Sequence, residues 1–169
     1  MRRGFFFGLL LLLGSCGTPA RKAPFLPEEF APYAREGTGV IEGRAWLWLG
    51  KDEIRKAAGH TVILKPVTTY TTEWIERGVK RGVNLGPPDP RAVAFVRKVK
   101  ADREGRFRFD RLPPGSYYVA CPVNYIAFDC TLGLDMKKVK WVFAEVDLGP
   151  GEVKKIFLTN DPEKEKRFQ

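Results

Sequence analysis

Residues 102–120, D-R-E-G-R-F-R-F-D-R-L-P-P-G-S-Y-Y-V-A, constrain this chain more than any other stretch. From Arg106 to Asp110 the two phenylalanines alternate strictly with charged residues, the pattern of a half-buried strand. Asp102-Arg103-Glu104-Gly105 supplies turn chemistry ahead of it, and Leu112-Pro113-Pro114-Gly115 stops it. Ser116 then opens a second strand. The alternation predicts Phe107 and Phe109 facing a core, with Tyr117, Val119 and Cys121 inward on the next strand. A hairpin of this kind needs a second layer over its apolar face, so the chain reads as an all-β sandwich.

The remaining strands follow from the same period of two. In residues 40–49, Ile41, Ala45, Leu47 and Leu49 share one face, and Glu42, Arg44, Trp46 and Trp48 the other. Residues 50–59 read as a charged connection with a helical turn, and 60–67 as a strand with Val62 and Leu64 inward. Thr71 is placed to cap a short helix over 72–80. Residues 82–90 form a Pro-rich loop, 91–101 a strand that feeds the central hairpin, and 131–138 a polar loop. Two last strands span 139–146 and 152–158. Seven strands and one short helix make a single domain over 38–160, with a charged tail at 161–169.

The run D-x-E-G-x-F-x-F-x-x-L-P-P-G-x-Y at 102–117 resembles the hallmark of carboxypeptidase-regulatory-like domains, the transthyretin- or prealbumin-like sandwiches. The resemblance extends more weakly over 40–158, through G-H-T-V-I-L-K-P-V-T-T-Y-T-T-E-W at 59–74. It implies a seven-stranded Greek-key sandwich and does not by itself imply an enzyme.

At the N-terminus Arg2 and Arg3 precede an apolar run from Phe5 to Leu13, too short to span a bilayer but suited to a secretory signal. The run ends in Leu13-Gly14-Ser15-Cys16, which resembles the lipobox of bacterial lipoproteins. That resemblance implies a signal peptide over 1–15, lipid attachment at Cys16, and, from Gly17, sorting to the outer membrane of a Gram-negative envelope. A plain secretory signal with an incidental Cys is the alternative, and a transmembrane anchor the weaker one. Residues 16–37 form a tether interrupted by Pro19, Pro24, Pro27 and Pro32. Phe25, Leu26, Phe30 and Tyr33 are more apolar than a free tether needs, so part of it is expected to fold back onto the domain.

The formal charge of +9 becomes +7 once Arg2 and Arg3 leave with the signal. In an exported protein without a nucleic-acid motif, that excess points away from nucleic acid. It points either to an anionic membrane surface or acidic envelope polymer, met by Lys137, Lys138 and Lys140 or by Lys154 and Lys155, or to a solvated basic face with no partner. Cys121 and Cys130 remain as an even pair. They are open either to a disulfide, worth about 2–3 kcal/mol for so short a loop, or to separate thiols. His60 is the only histidine. Neither a hydroxyisourate-hydrolase site nor the two-His, two-Tyr iron site of intradiol dioxygenases can therefore be assembled, and no metal or cofactor is expected. An envelope hydrolase or metal-dependent enzyme on a transthyretin-like fold is the alternative to a non-catalytic module that binds an envelope protein or polysaccharide.

One candidate surface stands out. Alternation sends Trp46 and Trp48 away from the core, and something must cover two adjacent indoles. Packing beneath the short helix, through Tyr70, Trp74 and Ile75, is one reading. The other is an exposed binding platform of Arg44, Trp46, Trp48, Tyr70 and Trp74, residue types that dominate recognition.

Overall fold

The computed structural model describes residues 20–50 and 53–161. The signal peptide, Cys16 and most of the charged tail lie outside these residues. A short helix α1 (Pro27–Phe30) runs into a 3-10 turn (Ala31–Tyr33) and leads to β1 (Gly39–Gly50), β2 (Glu53–Lys56) and β3 (Thr61–Pro66). Helix α2 (Thr69–Glu73) follows and widens into a π turn over Trp74–Val79. Then come α3 (Pro90–Val93), β4 (Arg97–Lys100), β5 (Arg106–Leu112), β6 (Gly115–Asp129), β7 (Leu134–Leu148) and β8 (Val153–Leu158).

Two four-stranded sheets form the sandwich. In one, β1 is central: β8 pairs with it in parallel on one side, while β5 and β2 pair antiparallel with its first and second halves. The other sheet has the order β4-β3-β6-β7, antiparallel throughout. Between them lies a continuous core that includes Ile41, Ala45, Leu47, Val62, Leu64, Phe107, Phe109, Tyr117, Val119 and Cys121. The inward registers expected of β1, β3, β5 and β6 are therefore the observed ones.

The corner between β4 and β5 carries the chain from one sheet to the other. One carboxylate oxygen of Asp102 accepts the N–H groups of Glu104 and Arg106, each at 2.8 Å. Gly105 adopts φ +75°, and a Cβ there would stand 2.5 Å from the Ala45 carbonyl oxygen. Gly115, at φ +150°, lies under the Tyr33 ring, 2.7 Å from where its Cβ would be. The tether thus folds back, as its apolar residues require. Phe30 is buried beside Tyr70 and Ala92, and the Tyr33 hydroxyl exchanges hydrogen bonds with the backbone of Ser116.

Five expectations change. The two strands at 106–120 are not a hairpin: β5 pairs with β1 in one sheet and β6 with β3 and β7 in the other, so the Pro113-Pro114 turn crosses between the layers. There are eight strands, because the charged stretch after Gly50 contains β2, which pairs with β1 through Trp46–Lys56 and Trp48–Ile54. Residues 91–101 are not one strand. Asp89 caps Arg91 and Pro90 starts α3, which leaves only Arg97–Lys100 as β4. The short helix begins earlier, because Thr68 is its cap and exchanges hydrogen bonds with Thr71.

The last correction concerns the cysteines. In place of a polar loop, β6 and β7 pair without interruption from Gly115–Leu148 to Asp129–Leu134 and project as a two-stranded ribbon. Cys121 is buried, Cys130 is exposed at the ribbon's turn, and both are free thiols. Nine extended residues place them roughly 30 Å apart, where a disulfide needs Cα atoms about 6 Å apart. Burial pushes the Cys121 thiol up to about 12, so it is an unreactive core group.

Phe109 is 2% exposed at the centre of the core. Phe109→Ala is expected to cost about 3–5 kcal/mol in urea unfolding with little change in m-value. A loss below about 1 kcal/mol would contradict this register.

Candidate functional site

The platform expected from β1 is divided between the two outer faces. Trp46 is 1% exposed and packs edge-on against Phe157 of β8, at 5.4 Å between ring centres. Trp48 is half-buried, with its backbone N–H and C=O both bonded to the Asn160 amide at 2.9 and 3.0 Å. Arg44 lines a groove of about 730 Å³ on that same face. Tyr70 and Trp74 lie on the opposite side of the molecule's core. The reason is topological: α2 follows β3, which belongs to the other sheet, so the helix cannot cover residues of β1.

The β1 groove is rich in charge, but much of that charge is compensated. Arg108 bridges Glu42 at 2.6 Å and Asp110 at 2.7 Å, and Lys155 stands 3.9 Å from Glu42. Exposed pairs of this kind are ordinary surface electrostatics. The smaller cavity around Tyr70 and Trp74 is chemically different.

That cavity encloses about 330 Å³. Its floor is the outward face of β3, where alternation leaves Ile63 and Lys65 exposed to the cavity while Val62 and Leu64 enter the core. Lys98 stands on β4 directly across from Ile63. Trp141 comes from β7, opposite Pro122 of β6. The capped helix α2 and its π turn bring in Tyr70 and Trp74, and the rings of Trp74 and Trp141 meet at 90°, 5.7 Å apart. Wide turns of this type recur where a helix must aim a side chain at a functional site.

The segment preceding α1 closes one wall. The Glu73 carboxylate accepts the backbone N–H groups of Lys22 and Ala23 at 2.9 and 3.0 Å, and pairs with Arg77. Burial pushes the Glu73 carboxyl up, but the N–H groups of Ala23 and Lys22 together with Arg77 outweigh it and hold it below its ordinary value. This anchor sets Arg21 over the Tyr70 ring at 5.0 Å, with its Nε donating to the Gly86 carbonyl at 3.2 Å. The Tyr70 hydroxyl in turn accepts the Asp89 N–H at 2.6 Å and fixes the Pro-rich loop.

Lys65 is the most unusual group. Its Nζ sits 3.5 Å from the centre of the Trp74 ring, a cation–π contact. Among the described residues no carboxylate pairs with it, and no Asp or Glu lines the cavity. Burial, then the charges of Arg21 and Lys98, pull its pKa from 10.5 down to about 8. The Nη1 atom of Arg21 is also buried and donates to no described acceptor.

Sequence reasoning reached Tyr70 and Trp74 but missed Trp141, Lys65, Lys98 and Arg21. A signal was present in V-I-L-K-P and V-K-W-V-F, where a strand's non-core face carries a lysine or a tryptophan. Nothing in those patterns shows that the two strands flank β6 in one sheet.

No family profile matches this chain, and no curated protein matches it. Among solved structures, it is similar to a Pseudomonas aeruginosa protein provisionally described as carbohydrate-binding, with 29% identity and a TM-score of 0.70 over 82% of this chain and 100% of that one. The minor pilin of Streptococcus agalactiae matches at 14% identity and a TM-score of 0.40, over 74% of this chain and 44% of the pilin. The major pilin subunit of Bacillus cereus gives the same identity and TM-score over 74% of this chain and 30% of its own. The chain is a β-sandwich similar in fold to that provisionally described Pseudomonas aeruginosa protein.

An unpaired, largely buried lysine should lower stability. Because its folded pKa of about 8 lies below 10.5, the cost of its charge is fully present below pH 8 and fades as pH rises towards 10.5. Lys65→Met is expected to stabilise the protein by about 1–3 kcal/mol at pH 7, with the gain vanishing across that window. Chemical denaturation at pH 7 and pH 10 measures it. Equal stability of the two proteins at pH 7 would mean that the cation–π contact already offsets the burial.

Proposed function

We propose that this chain is a non-catalytic glycan-binding module of a bacterial envelope, held to its membrane by a lipid on Cys16. The observation that carries the reading is the right-angled Trp74–Trp141 pair in a concave, cation-lined cavity. A sugar ring has an apolar face and a polar rim. Indole surface suits the first, and a few convergent donors suit the second. The similarity to a protein described as carbohydrate-binding supports this reading.

The lining favours binding over catalysis. Among the described residues it holds no Asp, Glu, His, Cys or Ser. The Thr71 hydroxyl that reaches it is already committed to the Pro66 carbonyl and to Thr68. His60 is also committed: its Nε2 accepts the Asn124 N–H at 3.0 Å, which leaves Nδ1 to donate to the Ala58 carbonyl at 3.1 Å.

Titrating the protein with a panel of neutral and acidic oligosaccharides should quench or shift its tryptophan fluorescence. Trp141→Ala is expected to reduce affinity at least about tenfold, the loss of one aromatic anchor, while the protein stays folded with a lowered melting point, since this ring also packs against Trp74. Unaltered binding by that variant would move the site elsewhere.

Cys16→Ser is expected to shift the protein from the membrane to the soluble fraction and to abolish the acyl mass on the mature N-terminus. Anchoring that persists with an unmodified Cys16 would overturn the lipoprotein reading. Stable attachment needs at least two acyl chains, since one is marginal.

A further inference from the structure

We propose that the sugar recognised by this cavity is acidic: a glycan unit carrying a carboxylate or phosphate, which Lys65, Lys98 and Arg21 grip while Trp141 supports the ring. This rests on the glycan reading above and specifies its ligand class.

Three cations reach the cavity from three separate parts of the chain: the segment before α1, β3 and β4. Lys98 faces Ile63 across the β3–β4 pair, which makes it the diagonal neighbour of Lys65 on the same face. Like charges at such positions oppose folding. Elsewhere the chain compensates many of its cations. Lys56 pairs with Glu104, Lys80 with Glu76, Arg91 with Asp89 and Lys154 with Glu152. In the cavity it does not.

Neither of the two acids that build the cavity's walls is free to fill the role. Glu73 is consumed by Lys22, Ala23 and Arg77, and Asp89 by the N-terminus of α3 and Arg91. Turning either inward would break the anchor or cap that shapes the cavity. The hydroxyls of a neutral sugar can accept from the buried Nη1 of Arg21 but leave the charge of Lys65 uncompensated. An anionic substituent satisfies both through charge-assisted hydrogen bonds.

The geometry allows one ligand to use rings and charges together. Lys65 Nζ lies 3.5 Å from the Trp74 ring centre, and that ring lies 5.7 Å from Trp141. Nζ is therefore no farther from Trp141 than those two distances combined, a span that one pyranose and its substituent can bridge. A protein built only for stability would remove such a lysine, so its cost marks the place where a ligand supplies the missing charge.

Calorimetric titration of the mature protein with trigalacturonate, its fully methyl-esterified form and glucose 6-phosphate tests the inference. The acid trimer or the sugar phosphate should bind at least about tenfold more tightly than the ester, the size of one charge-assisted hydrogen bond. Whichever binds identifies the anion as carboxylate or phosphate, and its affinity should fall as salt is raised. Lys65→Met and the exposed Lys98→Gln should each erase most of that preference, because the acid's affinity falls much further than the ester's. The second variant guards against any refolding around position 65. Equal binding of acid and ester would overturn the charge inference and leave the glycan reading standing. Binding of none of the three probes, with neutral oligosaccharides in the fluorescence panel also inactive, would overturn both.

Discussion

The corner closed by Asp102 is the contact on which the rest of the sandwich depends. It must turn the chain out of one sheet and into the other within a few residues. The side chain does this by accepting two backbone N–H groups, and its own N–H donates to the Arg106 carbonyl at 2.9 Å. The Arg106 N–H leads the influences that hold the Asp102 carboxyl below its ordinary range, so the turn is made by a permanently ionised group at neutral pH. With that corner set, Phe107 and Phe109 can only enter the space between the sheets, and β1 can only run alongside them.

The second constraint governs the cavity. Glu73 ties residues 22 and 23 to the first turns of the helical segment, which holds Arg21 in place and gives the cavity its fourth side. The sandwich alone would present an open, shallow sheet face. The tether becomes part of the domain because Phe25, Phe30 and Tyr33 find apolar partners there.

How much of this could be read from residues follows from range. Alternation is local, so the inward faces of β1, β3, β5 and β6 were legible, as were the turns at Gly105 and Gly115. Caps are nearly local, yet Thr68 was passed over for Thr71, because either threonine satisfies the same pattern and only the fold shows that the two bond each other. β2 was hidden by its charges. It is an edge strand whose pairing with Trp46 and Trp48 supplies what its own side chains do not. The ribbon was hidden by its exposed residues, because a two-stranded extension has no buried face to impose a period. The aromatic platform failed for a different reason. Residues adjacent in sequence were assumed to be adjacent in space, but β1 and α2 serve opposite sheets.

That ribbon also has a bearing on how molecules of this chain meet one another. Beyond Ala120, β6 is paired only with β7 among the described strands, so both backbone margins of the projection are available to a further strand. Ile126, Phe128, Leu134 and Val139 are about half exposed or more along it. Such a margin is a template for edge-to-edge addition. His60 takes one of its donors, at Asn124, and Lys137, Lys138 and Lys140 line the β7 side with charge of a single sign. A neighbouring copy approaching in register would bring the same lysines face to face, and repulsion between identical side chains opposes edge-to-edge growth along that margin.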